Sequence, residues 1–282
     1  MTRGPLVTPK GGTPFQQGNV TAYDSTLGWR FPNPRLGELY PLVSNGVTAE
    51  NVAERYQISR KDQDAFALES HQKAIHAHEA GFLKDEIVPV EVRQRRAGVT
   101  VYDRDEGPRS DTSMEKLAAL RPVFKEKGTV TAGNTSPLSD GAAMLLMTTE
   151  EKAQSLRLKP LARIVASGVA GVDPSYFGIG PVPASQKALK RAHLTMDRMD
   201  LIELNEAFSS QSIACIRELD MDPNKVNVNG GAIALGHPLG CSGARIMTTL
   251  IHEMKRRGNR YGLATMCIGV GQGITTIVER MN

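Results

Sequence analysis

Three short segments of the chain gather reactive side chains at points where one structural pattern gives way to another. Asn205-Glu206-Ala207-Phe208 stands where the apolar run Leu201 to Leu204 hands over to a helical pattern. Polar groups at strand ends in α/β sheets face crevices, although Asn205 read alone serves equally well as a helix cap. Asn229 to Gly243 holds five glycines in fifteen residues and leads into a helix whose free N–H groups can face an anion. It places His237 between Gly236 and Pro238, an ill-suited position for a histidine that only fills core space. Cys267-Ile268-Gly269-Val270-Gly271-Gln272-Gly273 closes an apolar strand; its glycines fit a hairpin turn and its thiol fits a buried structural role just as well. Together they supply a thiol, an imidazole and a carboxamide at element ends. A thiol near an imidazole exchanges protons near neutral pH, and amide and backbone N–H groups stabilise an oxyanion. Acyl transfer or carbon–carbon chemistry on a carbonyl fits these parts, and so does a cysteine hydrolase built on Cys267 and His237.

Other chemistries find less support. The glycine-rich stretch lacks the G-K-[S/T] of a phosphate loop. His71 and His78 lie one heptad apart on a predicted helix without a carboxylate or thiol to complete a ligand set, so they read as solvated. Cys215, Cys241 and Cys267 form no C-x-x-C pair, which argues against a zinc site or disulfide frame and for a reducing, cytoplasmic setting. The net charge is only +4, and the basic runs Arg93 to Arg96 and Lys255 to Arg257 carry no interleaved aromatics, so no nucleic-acid partner is expected. The longest apolar run, Ala142 to Met147, falls far short of the roughly 20 residues of a membrane span. The opening Met1-Thr2-Arg3-Gly4-Pro5 carries no apolar leader.

The elements that must position these groups are legible in outline. The turn-rich first forty-five residues read as a long loop docked on other structure through Trp29 and Phe31. Thr48 is expected to cap a helix from Ala49 to Tyr56, and Ser59 with Asp62 to open one running to about Gly81. Glu86 to Val92 suggests an edge strand because of Pro89, and Thr129 to Thr131 with Ala142 to Met147 a second sheet region. Beyond these, strands at Ala162 to Ala166, Leu201 to Leu204, Val226 to Val228, Leu263 to Ile268 and Ile274 to Val278 alternate with helices. The helices are expected at Ala184 to Ala192, Glu206 to Leu219 and Ser242 to Arg257. The pattern is α/β, with helices against a largely buried sheet, and the length suggests about two packed units.

At Asn205-Glu206-Ala207-Phe208, Gly236-His237-Pro238 and Cys267-Ile268-Gly269 the chain resembles the thiolase family of acetyl-CoA C-acyltransferases. The resemblance extends back through Gly171-Val172-Asp173-Pro174, Thr131-Ala132-Gly133-Asn134 and Thr48-Ala49-Glu50-Asn51. Thr26 to Phe31 looks like the 3-oxoacyl-CoA and 3-oxoadipyl-CoA branch. The resemblance implies a layered α/β/α/β/α core, its N-terminal core incomplete here. Residues 1–130 would form a loop domain, 131–158 a returning segment of the N-terminal core, and 159–282 the C-terminal core domain.

The implied reaction is reversible thiolysis: a 3-oxoacyl-CoA and coenzyme A give acetyl-CoA and a shortened acyl-CoA. Coenzyme A is a substrate, no cofactor is held permanently, and a homo-oligomer is implied if the core is complete. By the same resemblance His237 takes the proton of a nucleophilic cysteine and Cys267 moves the proton of the acetyl group. Asn205 positions a water that shares one oxyanion hole with His237, and the Gly269 N–H contributes to a second. Arg109, Phe124, Ala132, Ser136 and Phe208 match residues around coenzyme A. Cys215 and Cys241 receive no role. Asn45 and Phe177 stand where relatives usually carry methionines near the acyl pocket. None of the three cysteines matches the nucleophile, which in the family lies upstream of the residues that align with Met1. The chain alone is therefore expected to be inactive, with a non-catalytic CoA-binding or subunit-pairing role as the alternative.

Overall fold

A computed structural model describes residues 1–12, 17–94 and 98–281; Arg95 and Arg96 of the first basic run lie outside them. In chain order the strands are β1 (Leu6–Val7), β2 (Tyr23–Asp24), β3 (Val90–Gln94), β4 (Gly98–Tyr102), β5 (Ala162–Gly171), β6 (Leu201–Leu204), β7 (Tyr261–Ile268) and β8 (Gln272–Arg280). The helices are α1 (Pro34–Leu39), α2 (Asn45–Arg55), α3 (Arg60–Glu79), α4 (Met114–Ala118), α5 (Glu150–Ser155), α6 (Pro181–Ala192), α7 (Ser209–Glu218), α8 (Ala232–Leu235) and α9 (Leu239–Arg257).

The central sheet has the order β5-β8-β7-β6, with β6 parallel to β7 and the other pairs antiparallel. Alternation along each strand assigns its two faces to different helices. Ile202 and Leu204 of β6 pack with Leu263, Ile277, Leu189 of α6 and Cys215 and Leu219 of α7. Leu201 points the other way, with Ala264 and Val278, onto Ile246, Leu250 and Met254 of α9. This gives one β layer with helices on both sides. The second β layer of the expected core is not formed among the described residues.

Local chemistry explains the helix ends. Ser59 Oγ accepts from the Asp62 N–H at 3.1 Å while Asp62 Oδ2 accepts from the Ser59 N–H at 3.4 Å, the reciprocal cap expected at the start of α3. At the other end of the fold α9 stops at Gly258, whose φ of +73° suits glycine, after Lys255, Arg256 and Arg257 in the last turn. Upstream, α2 starts earlier than expected. Ser44 caps it, with its Oγ accepting from the Val47 N–H at 3.4 Å, while Thr48 lies inside the helix and donates to the Asn45 carbonyl.

Other expectations are corrected. Ala142 to Met147 is no strand: no neighbouring strand offers it a ladder among the described residues, so the segment stays irregular and exposed. Among the described residues Val226 to Val228 contributes one bridge, Val226 to Ile202. Glu86 to Val92 shifts to β3, which pairs with β4 in an exposed hairpin beginning just after Pro89. Trp29 and Phe31 do not dock on distant structure; Trp29 Nε1 donates to the Val43 carbonyl at 2.9 Å and Phe31 meets Tyr23 edge-on at 5.3 Å. Nor is His71 solvated, since it is buried and its Nδ1 accepts from the Arg109 N–H at 3.2 Å. His78 is largely covered as well, with its side chain 20% exposed and its Nε2 3.9 Å from Asp105 Oδ2.

Candidate functional site

The parallel pair β6 and β7 ends at one edge of the sheet, and that shared edge brings Asn205 and Cys267 into the same region. Leu204 is paired with Thr265, and the Asn205 N–H continues the ladder to the Thr265 carbonyl at 3.0 Å. Asn205 is fully buried and does not cap α7; Phe208 occupies that position without a side-chain cap. The Asn205 amide instead meets His237, with Nδ2 3.3 Å from Nε2 and 3.5 Å from Nδ1. Its Oδ1 is buried without a hydrogen-bond partner among the described residues.

His237 is carried between α8 and α9. Gly236 adopts a φ of +100°, a left-handed conformation that lets the chain turn sharply from the end of α8 into the histidine. On its far side His237 Nδ1 lies 2.6 Å from Ser242 Oγ, in the first turn of α9, and the same Oγ is 3.0 Å from the Pro238 carbonyl. Burial, reinforced by the Arg245 charge, pushes the imidazole down to about 4. It is therefore neutral at pH 7 and available as a base.

Cys267 sits in a buried cluster with Ala49, Val130, Phe177, Ala207 and Phe208. Burial pushes its thiol up to about 12, so near neutrality it holds its proton. Gly269 opens the short turn joining β7 to β8. Val270 in that turn has a φ of +66°, rare for a β-branched residue and a local strain beside the expected N–H donor.

Four of the five residues expected around coenzyme A lie in or beside this region. Phe208 joins the Cys267 cluster and meets Phe124 edge-on, with ring centroids 6.3 Å apart. The Ser136 N–H and Oγ both donate to the Ala207 carbonyl at 3.1 Å. Ala132 is exposed in the Thr131–Asn134 turn, which Asn134 secures by donating to Asp64 Oδ1 at 2.9 Å and accepting from the Ser209 N–H at 3.0 Å. Arg109 stands apart, exposed on the loop before α4. Of the two departures from the family pattern, Phe177 lies in the Cys267 cluster and Asn45 begins α2.

The sequence reading missed the polar groups behind the site. Glu203, on the α9 face of β6, lies 3.1 Å from Arg245. Burial outweighs this ion pair and pushes the carboxyl up to about 8. Nearby Glu86, accepting from Thr249 Oγ1 at 3.0 Å, is pushed by burial to about 7. The available signal was Glu203 itself, a charged residue inside the buried strand Leu201–Leu204. Ser242 carried no such signal, because a serine at a helix start reads as an ordinary capping residue.

Comparison with known proteins agrees with this architecture. Residues 17–151 match the thiolase N-terminal domain and residues 158–280 the thiolase C-terminal domain. The beta-ketoadipyl-CoA thiolase of Pseudomonas aeruginosa is 52% identical, over 100% of this chain and 70% of its own length. The 3-oxoadipyl-CoA/3-oxo-5,6-dehydrosuberyl-CoA thiolase of Escherichia coli is 48% identical over the same shares. The crystal structure of human mitochondrial 3-ketoacyl-CoA thiolase superposes with a TM-score of 0.88 at 42% identity, covering 100% of this chain and 69% of that one. A structure of that human enzyme in complex with CoA superposes at 0.86, with 40% identity over 99% and 68% of the two chains. With both domains matched and half the residues shared with a full-length relative, the chain belongs to the thiolase family.

Proposed function

We propose that this chain supplies the acid–base and oxyanion half of a thiolase site acting on 3-oxoacyl-CoA, with 3-oxoadipyl-type acyl groups as the substrate class. The observation that carries the reading is the Asn205 amide against His237, with Cys267 at the adjoining strand end. In cleavage, the bond between the 2- and 3-carbons of the 3-oxoacyl group breaks and its electron pair stays on the acetyl-CoA fragment as an enolate. Cys267 S–H delivers its proton to that carbon, the step for which a thiol held protonated is suited. Asn205 and His237 stand over the developing oxyanion, and the buried, unpartnered Asn205 Oδ1 is available to orient a donor there. Ser136, Ala132, Phe124 and Phe208 hold the coenzyme A portion, and Arg109 faces its anionic end. The Gly269 N–H serves the acyl-enzyme step.

That step needs a nucleophilic thiol, and Cys215, Cys241 and Cys267 are all buried. Cys215 is further fixed by its contact with the Gly178 carbonyl. The chain by itself therefore carries out proton transfer but not thiolysis. The segment 131–158 belongs with the core that would carry the attacking thiol, between the loop domain 1–130 and the core domain 159–282. The names of the relatives support the 3-oxoadipyl class, and Phe177 beside Cys267 is the residue best placed to alter it. Against a cysteine hydrolase stands the same burial of Cys267, which withholds the thiolate such chemistry requires.

Acetyl-CoA incubated with the purified chain in D2O tests the reading. The expected result is deuterium entering the acetyl methyl group, lost in Cys267→Ala. Exchange no faster than the protein-free rate would overturn it, and thiolysis of a 3-oxoacyl-CoA by the chain alone would overturn the need for a further thiol.

A further inference from the structure

We infer that Ser242 is a positioning residue that sets the tautomer of His237, placing the proton on Nδ1 and leaving Nε2 bare. The inference starts from two contacts of one hydroxyl. Ser242 Oγ is 2.6 Å from His237 Nδ1 and 3.0 Å from the Pro238 carbonyl. A carbonyl oxygen only accepts, whereas a hydroxyl has one proton to give and lone pairs to receive with. Both contacts become hydrogen bonds in a single arrangement: Oγ–H donates to Pro238 and Nδ1–H donates to Oγ. In the opposite tautomer the hydroxyl proton turns to Nδ1, and an Oγ lone pair faces the carbonyl oxygen.

The Asn205 amide does not select between the tautomers, since its Nδ2 lies 3.3 Å from Nε2 and 3.5 Å from Nδ1; the Ser242 hydroxyl carries the choice. The site also gives Ser242 little freedom to choose otherwise. Its side chain is buried in the first turn of α9, and its backbone N–H is committed to the Pro238 carbonyl at 2.9 Å.

The consequence for the reaction rests on the function proposed above. A base must present a lone pair to the proton it takes, and Ser242 turns that lone pair away from the helix. Once Nε2 is protonated, Nδ1–H keeps its acceptor in Ser242 Oγ. The test reads the ring directly and requires no turnover. Magic-angle-spinning 15N–13C spectra of the histidine-labelled full chain near neutral pH distinguish the two tautomers whatever the size of the particle. His237→Gln identifies the signal among the six histidines. The expected wild-type form is Nδ1–H. Ser242→Ala should lower the ratio of Nδ1–H to Nε2–H by about tenfold, the worth of one hydrogen bond, and Ser242→Thr should restore it. A wild-type Nε2–H tautomer, or an unchanged ratio in a folded Ser242→Ala, overturns the inference. If the alanine variant does not fold, the wild-type and threonine spectra still decide it. Failure of deuterium exchange with the expected tautomer present would sink the proposed reaction and leave the role of Ser242 standing.

Discussion

At the scale of single residues, the site pairs a base that is never charged near neutrality with an acid that is never ionised there. Burial drives both groups the same way, toward their neutral forms: His237 down to about 4 and Cys267 up to about 12. This pairing makes the pH dependence of proton exchange specific. Taking a proton from acetyl-CoA requires the Cys267 thiolate, whose fraction rises tenfold per unit of pH below its pKa. Deuterium exchange is therefore expected to accelerate about tenfold per unit between pH 7 and pH 9, with no inflection near 6.5 from His237. A plateau in that range would show a thiol much more acidic than its burial implies. Val270 makes a different prediction. With φ at +66° it carries strain on the order of 1–3 kcal/mol, which asparagine tolerates better. Val270→Asn should raise the melting temperature by a few degrees, a gain of about 1 kcal/mol, and an unchanged or lower value would show that the turn is not strained.

At the scale of elements, the sheet and α9 hold the site through a buried charge that works against the fold at high pH. Glu203 keeps its proton to about 8 in the folded chain and releases it near 4.5 when unfolded. The folded state then binds more protons between those values. Its contribution is fully present below about pH 4.5 and is lost as pH rises through about 8, at a cost on the order of 5 kcal/mol. Glu203→Gln should flatten this decline, so that chemical denaturation at pH 5 and pH 8 differs less than in the wild type. A steeper decline would place the proton elsewhere. In α2, Gly46 packs so closely under Phe124 that an added Cβ would collide with the ring. Gly46→Ala should displace Phe124 and weaken coenzyme A binding several-fold by titration calorimetry, whereas unchanged affinity would remove Phe124 from the coenzyme A surface.

These elements also show what a sequence can disclose. The pairing of β7 with β8, the buried β6 and the Ser59–Asp62 cap were legible because each rests on local pattern: alternation, an apolar run, a capping spacing. Asn205, His237 and Cys267 stood out because a carboxamide, an imidazole and a thiol gather at element ends, two of them beside glycine-rich turns. The α2 boundary was misplaced because Asn45 and Gly46 are poor helix formers, yet tertiary packing draws them into the first turn. Ser242 and Arg245 stayed hidden because their importance lies in contacts across the fold, to His237 and Glu203, that no local window contains.

At the scale of the whole molecule, one segment gathers several apolar side chains without cover. Met144, Leu146 and Met147 are 91%, 85% and 66% exposed on an irregular stretch whose residues 142–148 take no part in any inter-segment backbone hydrogen bond among the described residues. Its composition matches a buried strand, and a strand is defined by its neighbour as much as by its own sequence. Ile164 and Val169 on the outer strand β5 are also about half exposed, adding apolar surface at the sheet edge. Such unpaired, apolar backbone favours edge-to-edge association. The purified chain is therefore expected to bind a hydrophobic dye and to self-associate as its concentration rises, as measured by fluorescence and light scattering. Replacing Met144 and Leu146 together by lysine should suppress both effects, because charge on this exposed segment opposes pairing with another chain. The substitutions lie outside the groups around His237, so the tautomer of that ring should be unchanged. A wild-type chain that stays monodisperse and leaves the dye dark would mean that 142–147 finds cover within its own fold in solution.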